Sequence, residues 1–456
     1  MLRRFAFLSC IAVLAASVLA AQDRRIVTEP KIPAFCSTLD AQLAASGRSL
    51  SPEDEQKLDT ERIQHAIDSC NKGYGVLLRA SNQKNAFLSG PLALRPGVAL
   101  VVDKGVTLFA SRNAALYASA PGSCGLVTEQ NIHGCKPLIS VDRADGAAVM
   151  GQGIIDGRGG ESLLGSQISW WDLAEQARAG GAQQNFRIVV VDHSDNFTLY
   201  GITLKNSPNF HVTYNHGSGF TAWGVHIDTP QRLARNTDGI DPGNGARNVT
   251  IAHSWIRTGD DNVAIKGGTG GARQMTIAHN HFYWGHGMSI GSETDGGVGQ
   301  ILVTDLSLDG PDNGIRIKSN GSRGGLTEDV VYSDVCIRNS PNPIMLDTAY
   351  NANGALRGDK PPSMRAIALR NVRVSGGGKL TFNGYDQSHR IAAQLDGVQL
   401  TDQSPYKYIF VHSDVSLGPG ATDLQFPKGD DSTLTGSPAS ATPPSCTEKF
   451  VPFEQN

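Results

Sequence analysis

The chain repeats itself. Four segments, Asn248–Ile251 (NVTI), Gln274–Ile277 (QMTI), Gln300–Val303 (QILV) and Asp329–Tyr332 (DVVY), begin 26, 26 and 29 residues apart. Each is followed by a second short apolar run: Val263–Ile265, Met288–Ile290, Ile315–Ile317 and Ile344–Leu346. A similar opening stands at Asn196–Leu199, and weaker copies lie at Val98–Val101 and Ala366–Leu369. A unit this short cannot bury its own apolar face, so successive units must stack into a solenoid. No helical pattern separates the strands, so each unit reads as one coil of a parallel β-helix. A β-sandwich is the rival, but paired alternating strands around two-residue turns are weak here. The fold expected is all-β: a single-stranded parallel β-helix forming one domain over residues 21–456, because a solenoid grows by adding coils without splitting. The 52 glycines fit such a turn-rich chain.

Two ends stand outside the repeat. Asp59 and Thr60 can cap a helix whose Ile63, Ala66 and Ile67 share one face, and this helix is expected to cover the first coil. The Ser/Thr/Pro-rich stretch 429–445 reads as a surface tail pinned by Cys446.

Residues 1–20 have the form of a secretory leader, with Arg3 and Arg4 before an apolar run and Val18-Leu19-Ala20 as the cleavage site. Nothing later is apolar for long enough to cross a bilayer, so a secreted, soluble protein is expected. Of seven cysteines, six remain once Cys10 leaves with the leader: Cys36, Cys70, Cys124, Cys135, Cys336 and Cys446. An even number suits an oxidising compartment. Cys124 and Cys135 are close enough to staple one loop, Cys36 and Cys70 flank the N-terminal segment, and Cys336 with Cys446 would tie down the tail; this pairing is a guess, since six cysteines allow about fifteen connectivities. No close Cys or Cys/His pair suggests a metal, and no metal or cofactor is expected. The formal charge is −3 and becomes −5 without the leader's two arginines. A mildly acidic chain is a poor non-specific binder of nucleic acid or membrane, and a monomer is expected.

Four polar clusters fall in the repeats, one per coil: Asn236-Thr237-Asp238-Gly239, Gly259-Asp260-Asp261-Asn262, Gly285-His286-Gly287 and Arg316-Ile317-Lys318. Stacked coils lie about 4.8 Å apart, so these clusters form a column that a linear polymer could follow. Singly, Asp238-Gly239 reads as a turn and His286 as an ordinary loop residue. Jointly the turn reading fails, since adjacent like charges repel and a turn gains nothing from two carboxylates. Arg316 and Lys318 are two apart on a strand and share a face.

In this order the clusters resemble glycoside hydrolase family 28, the polygalacturonases. Gly153–Gly157, Trp170-Trp171, Asn206-Ser207-Pro208 and Tyr350 add to the likeness, which runs from about Cys36 to beyond Tyr350. The resemblance implies a right-handed β-helix and inverting hydrolysis of α-1,4-linked polygalacturonate. It implies Asp260 as general acid, Asp238 and Asp261 as the pair that deprotonates water, and His286 as the residue that orients or tunes the acid. Arg316 and Lys318, with Tyr350, would bind the substrate carboxylate. Crowding of the carboxylates is expected to keep one of them protonated, with acid and base about 6.5–9.5 Å apart. Trp170, Trp171 and the 151–157 glycines read as packing and turn residues. Endo action is favoured over an exo-acting galacturonidase because no large extra module appears. A pectate lyase using Ca²⁺ is the rival enzyme, and a non-catalytic polysaccharide-binding β-helix is the rival outside catalysis. A binder of acidic sugar, however, has no reason to line its groove with aspartates.

Overall fold

The computed structural model describes residues 22–45, 49–350, 358–427, 431–439 and 446–454. The expected leader lies outside them, as do residues 429–430 and 440–445 of the expected tail. The described chain is a right-handed parallel β-helix, with one eleven-stranded and one twenty-stranded sheet that run along the stack of coils. The smaller sheet carries the site. Its strands, in order along the solenoid, are β1 (Leu92–Ala93), β2 (Ile139–Asp142), β3 (Val189–Asp192), β4 (Val212–Asn215), β5 (Ile240–Pro242) and β6 (Val263–Ile265). They continue as β7 (Met288–Ile290), β8 (Asn313–Lys318), β9 (Asn342–Asp347), β10 (Gly378–Asn383) and β11 (Tyr406–Val411). The four apolar runs expected as second strands are β6 to β9.

The polar first residue of each repeat has a backbone reason. Asn196, Asn248, Gln274, Gln300 and Asp329 all have φ between 50° and 63°. Left-handed backbone is costly for most side chains and mildest for Asn and Asp. The sequence period is thus a conformational period, with a left-handed residue recurring at this position in each coil. Between turns the strands stack like on like. Leu199, Ala222, Ile251, Ile277, Val303, Tyr332, Leu369 and Leu395 are register partners in succession, and all are 0% exposed. In such a one-dimensional stack each layer is held mainly by its neighbours. Ile277→Ala is therefore expected to cost about 2–5 kcal/mol through the cavity it leaves. A lower urea midpoint at unchanged slope checks this.

The capping helix α1 spans Thr60–Asp68 and buries Ile63, Ala66 and Ile67. Asp59 sits at its N-cap position but makes no side-chain cap there. It instead pairs with Arg62 and accepts from the Leu88 backbone at 3.3 Å, tying the helix to the coil below. The cysteines pair as Cys36–Cys70, Cys124–Cys135 and Cys336–Cys446. Part of the expected surface tail is strand: Thr433–Thr435 pairs in parallel with Asp414–Ser416, although its side chains stay exposed. Among the described residues no helix is long and apolar enough to cross a membrane.

Candidate active site

One register row organises the site. Val212, Ile240, Val263, Met288 and Ile315 pair in succession along β4 to β8. Two residues before each stand Phe210, Asp238, Asp261, His286 and Asn313. Residues from five coils are thus delivered to one edge of the sheet, about 4.8 Å apart. Asp260 neighbours this row, and Arg316 and Lys318 rise from β8 toward it. All seven residues expected at the site come together.

Asp261 is 1% exposed and is the most heavily bonded of them. Its Oδ1 accepts from Arg316 Nη1 at 2.9 Å and from Ser289 Oγ at 2.6 Å, and its Oδ2 accepts from Lys318 Nζ at 2.8 Å. Burial pushes its pKa up, but Lys318 and Arg316 outweigh that and hold it below the usual carboxylate value. Tyr350 joins the same group. Its hydroxyl accepts from Arg316 Nη2 at 3.1 Å, and its ring lies 5.3 Å from the Arg316 guanidinium carbon and 5.5 Å from Lys318 Nζ.

Asp260 is paired differently. Its Oδ1 lies 2.9 Å from His286 Nδ1, and His286 Nε2 lies 3.3 Å from Asp312 Oδ2. Burial opposes charge on both groups. The hydrogen bonds and charges of Asp260 and Asp312 nevertheless push His286 up to about 10, while His286, Lys318 and Lys266 hold Asp260 below the usual range. The proton of this pair therefore sits on the imidazole. Crowding acts elsewhere than expected. Asp260 has a matching cation, and of the three aspartates expected at the site the one whose pKa rises is Asp238, through burial and the charge of Asp241.

Asp238 is fixed by its backbone. Its carbonyl accepts from the His211 amide at 2.8 Å and lies 2.9 Å from His211 Nδ1. Burial pushes His211 down to about 4, so it is a neutral spacer. Lys266 lies between two acids, donating to Asp238 Oδ2 at 2.9 Å and Asp241 Oδ2 at 2.7 Å. Burial lifts Asp241 to about 6 against the pull of Lys266. Asp238 Oδ1 is buried and has no hydrogen-bond partner among the described residues. Lys266, Asp241, Asp312 and Ser289 were not anticipated from the sequence. Lys266 had a usable signal: it stands three residues after Val263, as Lys318 stands three after Ile315. Trp170 and Trp171 pack as expected. Trp170 is fully buried, and Trp171 Nε1 donates to the Ser207 carbonyl at 2.9 Å.

The chain is similar to known proteins over most of its length. The polygalacturonase from Erwinia carotovora ssp. carotovora superposes with a TM-score of 0.79 at 42% identity, covering 86% of this chain and 100% of that one. An endo-polygalacturonase of Pectobacterium carotovorum subsp. carotovorum is 42% identical over 88% of this chain and 95% of its own length. A polygalacturonase of Ralstonia nicotianae is 37% identical over 94% of this chain and 92% of its own. The model of glycosyl hydrolases family 28 matches residues 76–415, so the chain belongs to that family.

Proposed function

We propose that this protein is a secreted, endo-acting polygalacturonase that hydrolyses α-1,4 bonds of polygalacturonate with inversion. The observation that carries the reading is the register row, which sets Asp238, Asp261 and His286 side by side with two buried cations from β8. The endo-polygalacturonases at 42–43% identity over most of their length support endo action. Three disulfides suit an oxidising compartment, which supports secretion.

Asp260 and His286 act as one acid that stores a single proton. It rests on the imidazole, passes from His286 Nδ1 to the Asp260 carboxylate 2.9 Å away and from there to the glycosidic oxygen, leaving His286 neutral and Asp260 ionised. Asp238 and Asp261 hold the attacking water. Asp261 is kept ionised by its two cations, and Asp238 presents an oxygen that accepts no hydrogen bond among the described residues. A Ca²⁺-dependent lyase fits the donor set poorly. Asp260, Asp261 and His286 could face one ion, but both Asp261 oxygens already neutralise Lys318 and Arg316. A divalent cation there would sit beside those two positive charges. The test is incubation with polygalacturonate. New reducing ends without unsaturated uronates, undiminished by a chelator, are expected, and unsaturated products that vanish on chelation would establish the lyase instead.

Lys266 sets the acid side of the pH profile. Asp238 must be ionised to take a proton, burial and Asp241 push its pKa up, and Lys266 pulls it down. Lys266→Met therefore raises it further, and the acidic limb of kcat/KM moves to higher pH. Activity is lost most at low pH and partly regained as pH rises. An unmoved limb with uniformly lower activity would leave Lys266 a merely structural residue.

A further inference from the structure

The register row continues past Asp238. Val189 on β3 pairs with Val212 on β4, so Arg187 stands where Phe210, Asp238 and Asp261 stand in later coils. Two strand spacings, roughly 10 Å, separate its coil from that of Asp238. The Arg187 guanidinium carbon lies 4.9 Å from the centre of the Phe210 ring, and Lys266 Nζ lies 4.2 Å from the same ring. The two cations differ in one respect. Lys266 is neutralised by Asp238 and Asp241. Among the described residues Arg187 has its ring contact but no ion pair or side-chain hydrogen bond, and the acids that influence it, Asp241 and Asp238, are already held by Lys266.

That is an unusual state for a half-buried guanidinium with five donors. Burial without an acid beside it even pulls its pKa below the ordinary arginine value. The side chain lines a cavity of about 210 Å³ together with Gln183, Asn185 and Asn209. Asn185 donates to the carbonyls of Trp170 and Pro208, while its own Oδ1 is buried without a partner among the described residues. The cavity thus combines an unused cation with amide groups at the edge followed by the catalytic row.

Charge balance says what it takes. A polymer with a carboxylate on every sugar must cross Asp238, Asp241, Asp260, Asp261 and Asp312, and it needs cations on both sides of them. Arg316 and Lys318 serve the β8 side. We infer that Arg187 is a second carboxylate-binding subsite, on the β3 side, which holds a galacturonate unit remote from the scissile bond through two parallel N–H···O bonds. This rests on the polygalacturonate reading and deepens it.

The test separates the two. Binding of a defined oligogalacturonate is measured by calorimetry with Asp260→Asn protein, and again with Arg187→Gln added. The subsite predicts affinity weaker by about tenfold or more in the double variant, the usual worth of a hydrogen bond to a charged group. It also predicts a shallower salt dependence, and a gap that closes when the ligand is fully methyl-esterified. Equal affinity for the unesterified ligand overturns the subsite and leaves the polygalacturonate reading standing. A gap that persists on the esterified ligand also overturns it, since the loss is then one of packing on Phe210. No binding by either protein overturns both.

Discussion

Asp260→Asn lowers kcat on polygalacturonate by about 10²–10⁴-fold, the range that positioned acid–base catalysis supplies. Asparagine keeps the shape of the side chain and can still accept from His286 Nδ1, which lies 2.9 Å from Oδ1 in the native protein. It cannot pass a proton to a leaving oxygen. The loss therefore falls on kcat rather than KM, and amounts to about 2.7–5.5 kcal/mol of transition-state stabilisation. A second effect follows from the pairing. His286 owes its pKa of about 10 partly to the charge of Asp260, so in the variant the imidazole releases its proton at lower pH. Nuclear magnetic resonance titration of His286 reads that shift independently of turnover. Asp238→Asn is expected to be similarly damaging, and the double variant less than additive, because the groups act as a unit. Near-normal turnover for Asp260→Asn would remove it from the mechanism.

The fold was legible because its period is written in residues with few alternatives. Asn248, Gln274, Gln300 and Asp329 mark a left-handed position that recurs in each coil, and the apolar runs between them form the stacked core. The same period brought Asp238, Asp261 and His286 to neighbouring strands, since each stands two residues before its strand. What stayed hidden depends on which side chains pair. Nothing in Gly259-Asp260-Asp261 says that one aspartate meets an imidazole and the next two cations. That follows from β7 and β8 lying on one side of β6. Lys266 and Asp241 were passed over for a related reason, since a lysine and an aspartate within strand-like stretches read as ordinary surface until a second buried acid is found beside them. The cysteine pairing was legible only as a guess from position, since a short loop, the N-terminal segment and the tail each offered one pair, and that guess is the pairing the structure forms.

Loss of Arg316 or Lys318 is expected to act through two charges at once, and the two can be told apart. Both cations hold Asp261, at 2.9 and 2.8 Å, with all three side chains nearly buried. Lys318→Met leaves Asp261 with one cation fewer, and removing one member of a buried pair costs roughly 3–5 kcal/mol. The thermal midpoint should fall, and the pKa of Asp261 should rise because its largest stabilising charge is gone. Adding Asp261→Asn does not restore that stability, because Arg316 is then left buried without its acid. Substrate binding should not return either. A galacturonate carboxylate approaching β8 has lost one of its two cations in both variants, and oligogalacturonate affinity, measured on Asp260→Asn protein, stays about tenfold or more below the parent. Methyl-esterification should mimic the change from the other side. Parent affinity falls as esterification rises, while that of the Lys318→Met and Arg316→Gln proteins changes little. Salt should weaken the parent's binding more than the variants', because charge pairs open to solvent are screened over about 8 Å at physiological ionic strength. If the variants lose stability yet keep the parent's affinity and its preference for the unesterified ligand, the two cations serve Asp261 alone, and recognition of the substrate carboxylate belongs to another part of the groove.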